Sequence, residues 1–526
     1  MTSATSGMVC AVDRLAAAAG VAVLQAGGNA VDAAIATNAV LTVTTQHMCG
    51  LGGDLFALVS VPGAAAPLAL NASGRAGSGA DPARLRAAGH RAVPMTGDIA
   101  AVPVPGCVDG WVALSARLGR LPLAQVLAPA VELARDGFPA SPLLARAAPS
   151  VADLPGAEDF RAATHSGAVV RRPGVARTLA AVGTDGRDAF YRGEFGAGLV
   201  ALGRRTTAPD EYDESDLATV MADWVEPLAV DAWGSRVWTV PPNSQGYLTL
   251  AAAWIAERLP LPADPADPLW AHLLVEAARV ASYDRVDVLH EHTDGAALLD
   301  PRRLAARHAL VAGDRAASLP PETYAGGGTI YLCAVDADRM GVSLIQSNAA
   351  GFGARIVEPS TGIFLQNRGI GFSLVPGHPA ELGPGRRPPH TLSPALVTDA
   401  AGRLELVVGT MGGDAQPQVV LQLLARVLAG GAAVEDAIAA PRWVLSGQPP
   451  AGNGFDTWDA RGPVQVHVEA EAPPAWDAGL TERGHDVVRH PPYGYNMGHA
   501  HAIRVTSGGL EGAADPRAVV GAALGY

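Results

Sequence analysis

The chain has 526 residues, 49% of them hydrophobic and 17% charged, with a net charge of −13. That is enough apolar material for a large folded core, and the acidic balance argues against nucleic acid or an anionic membrane as the main partner. The basic side chains are 38 arginines with no lysine, which excludes a lysine Schiff base, a P-loop lysine and a Ser-x-x-Lys amidase.

Residues 13–26 have helical spacing through Leu15, Ala18, Ala19, Val23 and Leu24, and Gly27-Gly28 ends that helix. Asn29 is placed to cap a second helix from Ala30 to about Val43, with Asp32 in its first turn. The start has no basic segment followed by an apolar one, and the apolar stretch 15–40 is interrupted by Gln25, Asn29 and Asp32. Neither a secretory signal nor a membrane span is predicted, so a cytoplasmic location is expected. Cys49-Gly50-Leu51-Gly52-Gly53-Asp54 reads as a glycine turn before a strand at 55–59. Residues 71–100 read as loop, 102–106 as a turn before a helix containing Trp111, and 120–320 as mostly helical with strands near 228–240. Beyond Gly328 the character changes. Short strands are predicted at 330–336, 341–347, 395–399, 403–409, 464–469 and 502–505, with one helix at 416–429. The Pro- and Gly-rich stretch 373–389 suits a loop or lid. Cys10, Cys49, Cys107 and Cys333 are far apart and are expected to be reduced core residues.

The change of character falls on Gly326-Gly327-Gly328-Thr329. A glycine loop entering a buried strand would look the same. It is also the pattern of a chain that cuts itself and exposes a threonine, whose new α-amine serves as base for its own hydroxyl. Competing chemistries lack their motifs: there is no Gly-x-Ser-x-Gly, His-Glu-x-x-His, Cys-x-x-Cys or Walker sequence. His290-Glu291-His292 and His499-Ala500-His501 lack an evident carboxylate partner, so no metal and no cofactor is expected.

The motifs, in order, resemble the γ-glutamyltransferase family of N-terminal-nucleophile hydrolases over essentially the whole chain. They are Gly7-Met8-Val9, Gly27-Gly28-Asn29-Ala30-Val31-Asp32-Ala33-Ala34, Gly50-Leu51-Gly52-Gly53-Asp54, Val104-Pro105-Gly106, Phe190-Tyr191-Arg192-Gly193, Trp224 to Leu228, Pro241 to Gly246, Tyr283-Asp284-Arg285, Thr329, Gln346-Ser347, Gly362 to Gly369, Gly409 to Gly413 and Asp515-Pro516-Arg517. The resemblance implies an α+β fold, the αββα four-layer sandwich. It implies a precursor cut between Gly328 and Thr329 into a large chain, 1–328, and a small chain, 329–526, that stay together. It implies Thr329 as nucleophile, Ser347 as a hydroxyl partner of the nucleophile's amine, and Gly412 and Gly413 as oxyanion donors. A homodimer of processed units is compatible with it.

The chain departs from the family where a γ-glutamyl group would be held. Arg368 and Gly371 stand where the family has a glutamine and an aspartate, and His390-Thr391 replace a Ser-Ser pair. Neither Arg75 nor Arg84 sits convincingly at the family's substrate arginine. Losing a carboxylate and gaining an arginine turns a zwitterion site toward anions. The expected substrate is a small amide with a carboxylate, but no α-amine, on its acyl side (oxamate-like or glutaryl-like), held by Arg368, His390 and Thr391. Arg368 as a structural ion pair, a glutathione-hydrolysing enzyme, a scaffold that never matures, and a metal amidase built on the histidine pairs are the alternatives.

Overall fold

The computed structural model describes residues 2–206, 209–320, 328–447, 464–494 and 497–526. Of the glycine tract, Gly326 and Gly327 lie outside these residues. Two seven-stranded sheets form the centre, with every neighbouring pair of strands antiparallel. One runs in the order Thr2–Ala4, Gly509–Ala514, Ala500–Thr506, Leu404–Thr410, Ala395–Thr398, Ser235–Thr239, Leu228–Ala232. The other runs Ala522–Gly525, Met8–Ala11, Ile330–Val335, Gly341–Ser347, Asp54–Ser60, Leu68–Ala72, Asp223–Val225. Both sheets mix strands from before and after Gly328, so the two segments make one folded unit.

The pleat explains the layers, because alternate side chains leave a strand on opposite faces. Ile330, Leu332 and Ala334 pack into a cluster with residues of the helices Arg14–Gln25 and Ala30–Thr44. Tyr331, Cys333 and Val335 face the other way and meet Trp238, Leu396, Val407 and Ile503 of the opposing sheet. That sheet's outer face, with Val237, Val397, Leu406 and Val408, is covered by the helices Tyr247–Glu257, Pro268–Ser282 and Gln416–Leu424. The result is helix, sheet, sheet, helix, the αββα sandwich. Both faces of the sheets are buried, and each large side chain there contributes roughly 1.5–3 kcal/mol.

The helix Ala30–Thr44 is buried along its whole length. Asn29 and Asp32 form a capping box at its start, and Asp336 accepts from the Ala30 amide at 3.0 Å. The predicted helix 416–429 is α-helical to Leu424 and ends in a π-turn, Ala425–Ala429. The 71–100 stretch is less irregular than expected, since it holds the helix Pro82–Ala87. The 373–389 segment has no helix or strand beyond single bridges, and it is tied down. Arg386 pairs with Glu291 at 2.9 Å and Arg387 with Asp223 at 2.9 Å. The four cysteines are buried and free, and Cys10 lies directly opposite Cys333 in neighbouring strands. Among the described residues no helix is long and apolar enough to cross a membrane.

Candidate active site

Strand register assembles the site. Ile330 pairs with Gln346, so one residue further out Thr329 stands opposite Ser347. Ser347 in turn pairs with Asp54 on the next strand. All three have the parity of Tyr331, Ile345 and Phe56, whose side chains enter the space between the sheets. Thr329 Oγ1 is 3.1 Å from Ser347 Oγ and 2.7 Å from the carbonyl oxygen of Gly328. Ser347 Oγ donates to that carbonyl at 2.8 Å and accepts from the Ala349 amide at 2.8 Å. The Gly328 carbonyl is therefore polarised by the hydroxyl beside the threonine that follows it.

Arg368 lies in a 3-10 turn, Arg368–Gly371, and is fully buried. Its guanidinium donates to Thr391 Oγ1 at 3.0 Å and to Ser347 Oγ at 3.4 Å. It makes no ion pair with any described residue, and its Nε has no hydrogen-bond partner there. Burial pulls its pKa down to about 10, with Asp54 and Asp414 offsetting part of that, so it remains a cation at neutral pH. The structural ion pair considered for it is absent among the described residues. Gly371 lines a small cleft with Arg285, Leu289, Ser373, His378 and Pro389.

His390 is held by hydrogen bonds within the protein. Its Nδ1 accepts from the Leu392 amide at 3.2 Å, which puts the ring proton on Nε2, where it is donated to Asp54 Oδ2 at 3.1 Å. Both ring nitrogens of His390 are thus engaged within the protein, one of them on Asp54. Asp54 Oδ1 takes three more donors: the Gly74 and Gly106 amides at 2.8 and 3.2 Å and the Gln366 amide at 2.8 Å. The glycine turn before Asp54 is needed for close approach, because a Cβ on Gly53 would collide with the Ser347 carbonyl. Arg75 and Arg84 are in ion pairs elsewhere, with Asp223 and Glu291 and with Asp98.

Gly412 and Gly413 follow the strand Leu404–Thr410 of the opposing sheet, with φ of 135° and 60°. Such angles suit glycine. Among the described residues, neither amide donates to an assigned acceptor. A brace unforeseen from the sequence holds this turn. Gln245 donates to the Gly413 carbonyl at 3.0 Å and to the Thr391 carbonyl at 3.1 Å. Its own carbonyl accepts from Arg285 at 3.0 Å, and Arg285 makes a two-pronged pair with Asp414. Hydrogen bonds thus run from Thr329 through Ser347, Arg368, Thr391 and Gln245 to Gly413. Tyr283-Asp284-Arg285 and Pro241 to Gly246 were visible as motifs, but nothing local tied them to the glycines.

Among the described residues no group of three metal-ligating side chains is placed to hold an ion. His501 accepts from the Asp515 amide at 3.4 Å, and the rings of His290 and His292 lie 6.3 Å apart. Burial holds His47 and His501 at a pKa of about 4, and His390 and His499 at about 3. In the unfolded chain each titrates near 6.5. Between pH 6.5 and about 4 the unfolded state therefore binds more protons, and stability falls as pH falls through that window. Urea unfolding at pH 7.5 and pH 5.0 should show a clearly lower midpoint at pH 5.0, with uptake of about four protons from these groups on unfolding. Equal midpoints would contradict the neutral buried histidines.

Two facing antiparallel sheets between helical layers, with a threonine opening a central strand, define a protein of the N-terminal-nucleophile hydrolase type. The chain belongs to the gamma-glutamyltranspeptidase family, whose model matches residues 16–525, and it is an enzyme of that family. It is 38% identical to an oxamate amidohydrolase proenzyme of Klebsiella pneumoniae subsp. pneumoniae, covering 99% of each chain. It is 35% identical to a glutathione hydrolase-like proenzyme, YwrD, of Bacillus subtilis, covering 99% of this chain and 98% of that one. Among solved structures it is similar to the cephalosporin acylase from Bacillus halodurans, with 33% identity, a TM-score of 0.89, and coverage of 100% and 96%.

Proposed function

We propose that the chain is the precursor of an amidohydrolase that cuts itself between Gly328 and Thr329 and then hydrolyses a small amide carrying a carboxylate on its acyl side. The observation that carries this is Arg368, a buried guanidinium without an ion pair among the described residues, one hydroxyl away from Thr329. A guanidinium in that state is a ready partner for a substrate carboxylate, which it can bind with two parallel hydrogen bonds. The relatives named as proenzymes, one of them an oxamate amidohydrolase, support the same reading.

In the mature protein the Thr329 amine would take the proton of its own hydroxyl as Oγ attacks the amide carbon. The developing oxyanion would be met by the amides of Gly412 and Gly413, in the turn that Gln245 braces. The carbon–nitrogen bond breaks, the amine leaves with a proton, and water cleaves the acyl ester. With oxamate the products are oxalate and ammonia. Hydrolysis is preferred to transfer because no acceptor site is evident in the motifs. Gly371 brings no carboxylate at the position where the family has an aspartate, which disfavours a γ-glutamyl group.

The test is to incubate the purified protein with oxamate, a glutaryl anilide and a γ-glutamyl anilide, and to measure the mass of its small chain during turnover. Release from one of the first two should be fastest, with the acyl mass on a chain beginning at Thr329. Fastest release from the γ-glutamyl compound would overturn the substrate assignment.

A further inference from the structure

We infer that the loop bearing Gln46 and His47, together with Asn348, holds the water that resolves the ester on Thr329. Gly328 lies against this loop and against the turn after Ser347. A Cβ on Gly328 would sit 3.5 Å from the His47 carbonyl and 3.0 Å from the Gly351 amide nitrogen. In the same two loops five side-chain atoms are buried without a hydrogen-bond partner among the described residues: Gln46 Oε1, both ring nitrogens of His47, and both amide atoms of Asn348. Two side chains next to these loops are satisfied. Gln346 exchanges bonds with the Gly50 amide and carbonyl, and Asn367 bonds the Ala350 amide and the Met95 carbonyl. Unpaired buried polar atoms are costly and rare, so a group of them in the two loops that flank Gly328 points to a small polar guest.

The guest's chemistry follows from the donor set. A neutral imidazole offers one donor and one acceptor, and a carboxamide offers donors and an acceptor. His47 stays neutral because burial lowers its pKa to about 4. None of the three side chains brings a formal charge, so they suit water better than an ionised leaving group. Phe352, with its ring centroid 6.5 Å from that of His47, gives the imidazole an apolar neighbour. His47 and Asn348 act here as positioning residues.

Self-cleavage begins as Thr329 Oγ bonds to the Gly328 carbonyl carbon, the carbon–nitrogen bond breaks, and the hydroxyl proton passes to the new α-amine. Water then adds to the ester carbon, the carbon–Oγ bond breaks, Oγ regains a proton, and Gly328 leaves as a carboxylate with loss of a proton to solvent. The same water site would serve each acyl-enzyme in turnover. The inference rests on Thr329 being the nucleophile.

His47→Phe keeps a ring beside Phe352 and removes both nitrogens, and Asn348→Ala is the smaller change if the first fails to fold. Self-cleavage of the full chain is followed on denaturing gels with and without hydroxylamine, which attacks esters in place of water. The expected result is cleavage slowed by about tenfold to a hundredfold and restored by hydroxylamine. A His47→Phe chain that matures as fast as a self-cleaving wild type overturns this inference alone. Slowed cleavage without rescue also overturns it, since the ester then never formed. A wild type that stays uncut overturns the nucleophile assignment and this inference with it.

Discussion

Thr329→Ala is expected to run as one chain of 53.6 kDa where wild type gives two, and to have no measurable amidase activity. The reason is geometric. Thr329 Oγ1 is 2.7 Å from the Gly328 carbonyl oxygen, and that oxygen also takes the Ser347 hydroxyl proton at 2.8 Å. Removing Oγ1 removes the only atom of residue 329 that can attack, while the polarised carbonyl and the surrounding sheet remain. Loss of a catalytic nucleophile costs roughly 10⁶-fold in kcat. In the proposed mechanism the loss comes twice, because the same hydroxyl makes the free amine and then depends on it. Thr329→Ser should still mature, since the hydroxyl survives, and should retain a fraction of activity. Mass spectrometry of the three proteins decides the matter. A Thr329→Ala chain split after Gly328 would mean that some other group performs the cut.

That Thr329 and Ser347 lie side by side is legible in the amino-acid sequence, and the physical reason is local. Strands at 330–336 and 341–347 joined by a short turn leave little choice of register, and that register sets 329 against 347. The layered fold followed from the motif order, although the strand Met8–Ala11 did not announce itself. It is short, buried on both faces and lacks the alternation that marks a half-exposed strand. The contacts that shape the pocket were beyond local reading. Asp54 meets His390 only because the two sheets stack, and Gln245 meets Gly413 because the strands before them share one sheet with Ala395–Thr398 between, and no periodicity encodes either contact. His390 shows the limit most plainly. Its position among replaced family residues suggested a substrate contact, and nothing local told that its ring would bond the Leu392 amide and Asp54.

Arg368→Met should lower kcat/KM for a carboxylate-bearing amide by about 10²- to 10⁴-fold while leaving the fold as stable as before or more so. Each charge-assisted hydrogen bond to a substrate carboxylate is worth about 1.5–3 kcal/mol, and the planar guanidinium can make two. The stability side has the opposite sign. Arg368 is fully buried, its pKa is pulled down by desolvation, and it has no ion-pair partner among the described residues. Replacing it with an apolar chain of similar length removes that desolvation cost and strands no carboxylate, because Asp54 keeps His390, Gln366 and two backbone amides. A structural arginine would behave in reverse, with the melting temperature falling and activity dropping equally for every substrate. The comparison is made on matured two-chain protein, since Arg368 also touches Ser347. An amide with a neutral ester in place of the carboxylate should lose little on going from wild type to Arg368→Met. Arg368→Lys, which keeps the charge without the fork, should recover only part of the loss. Equal loss for the charged and neutral substrates would remove Arg368 from the acyl pocket.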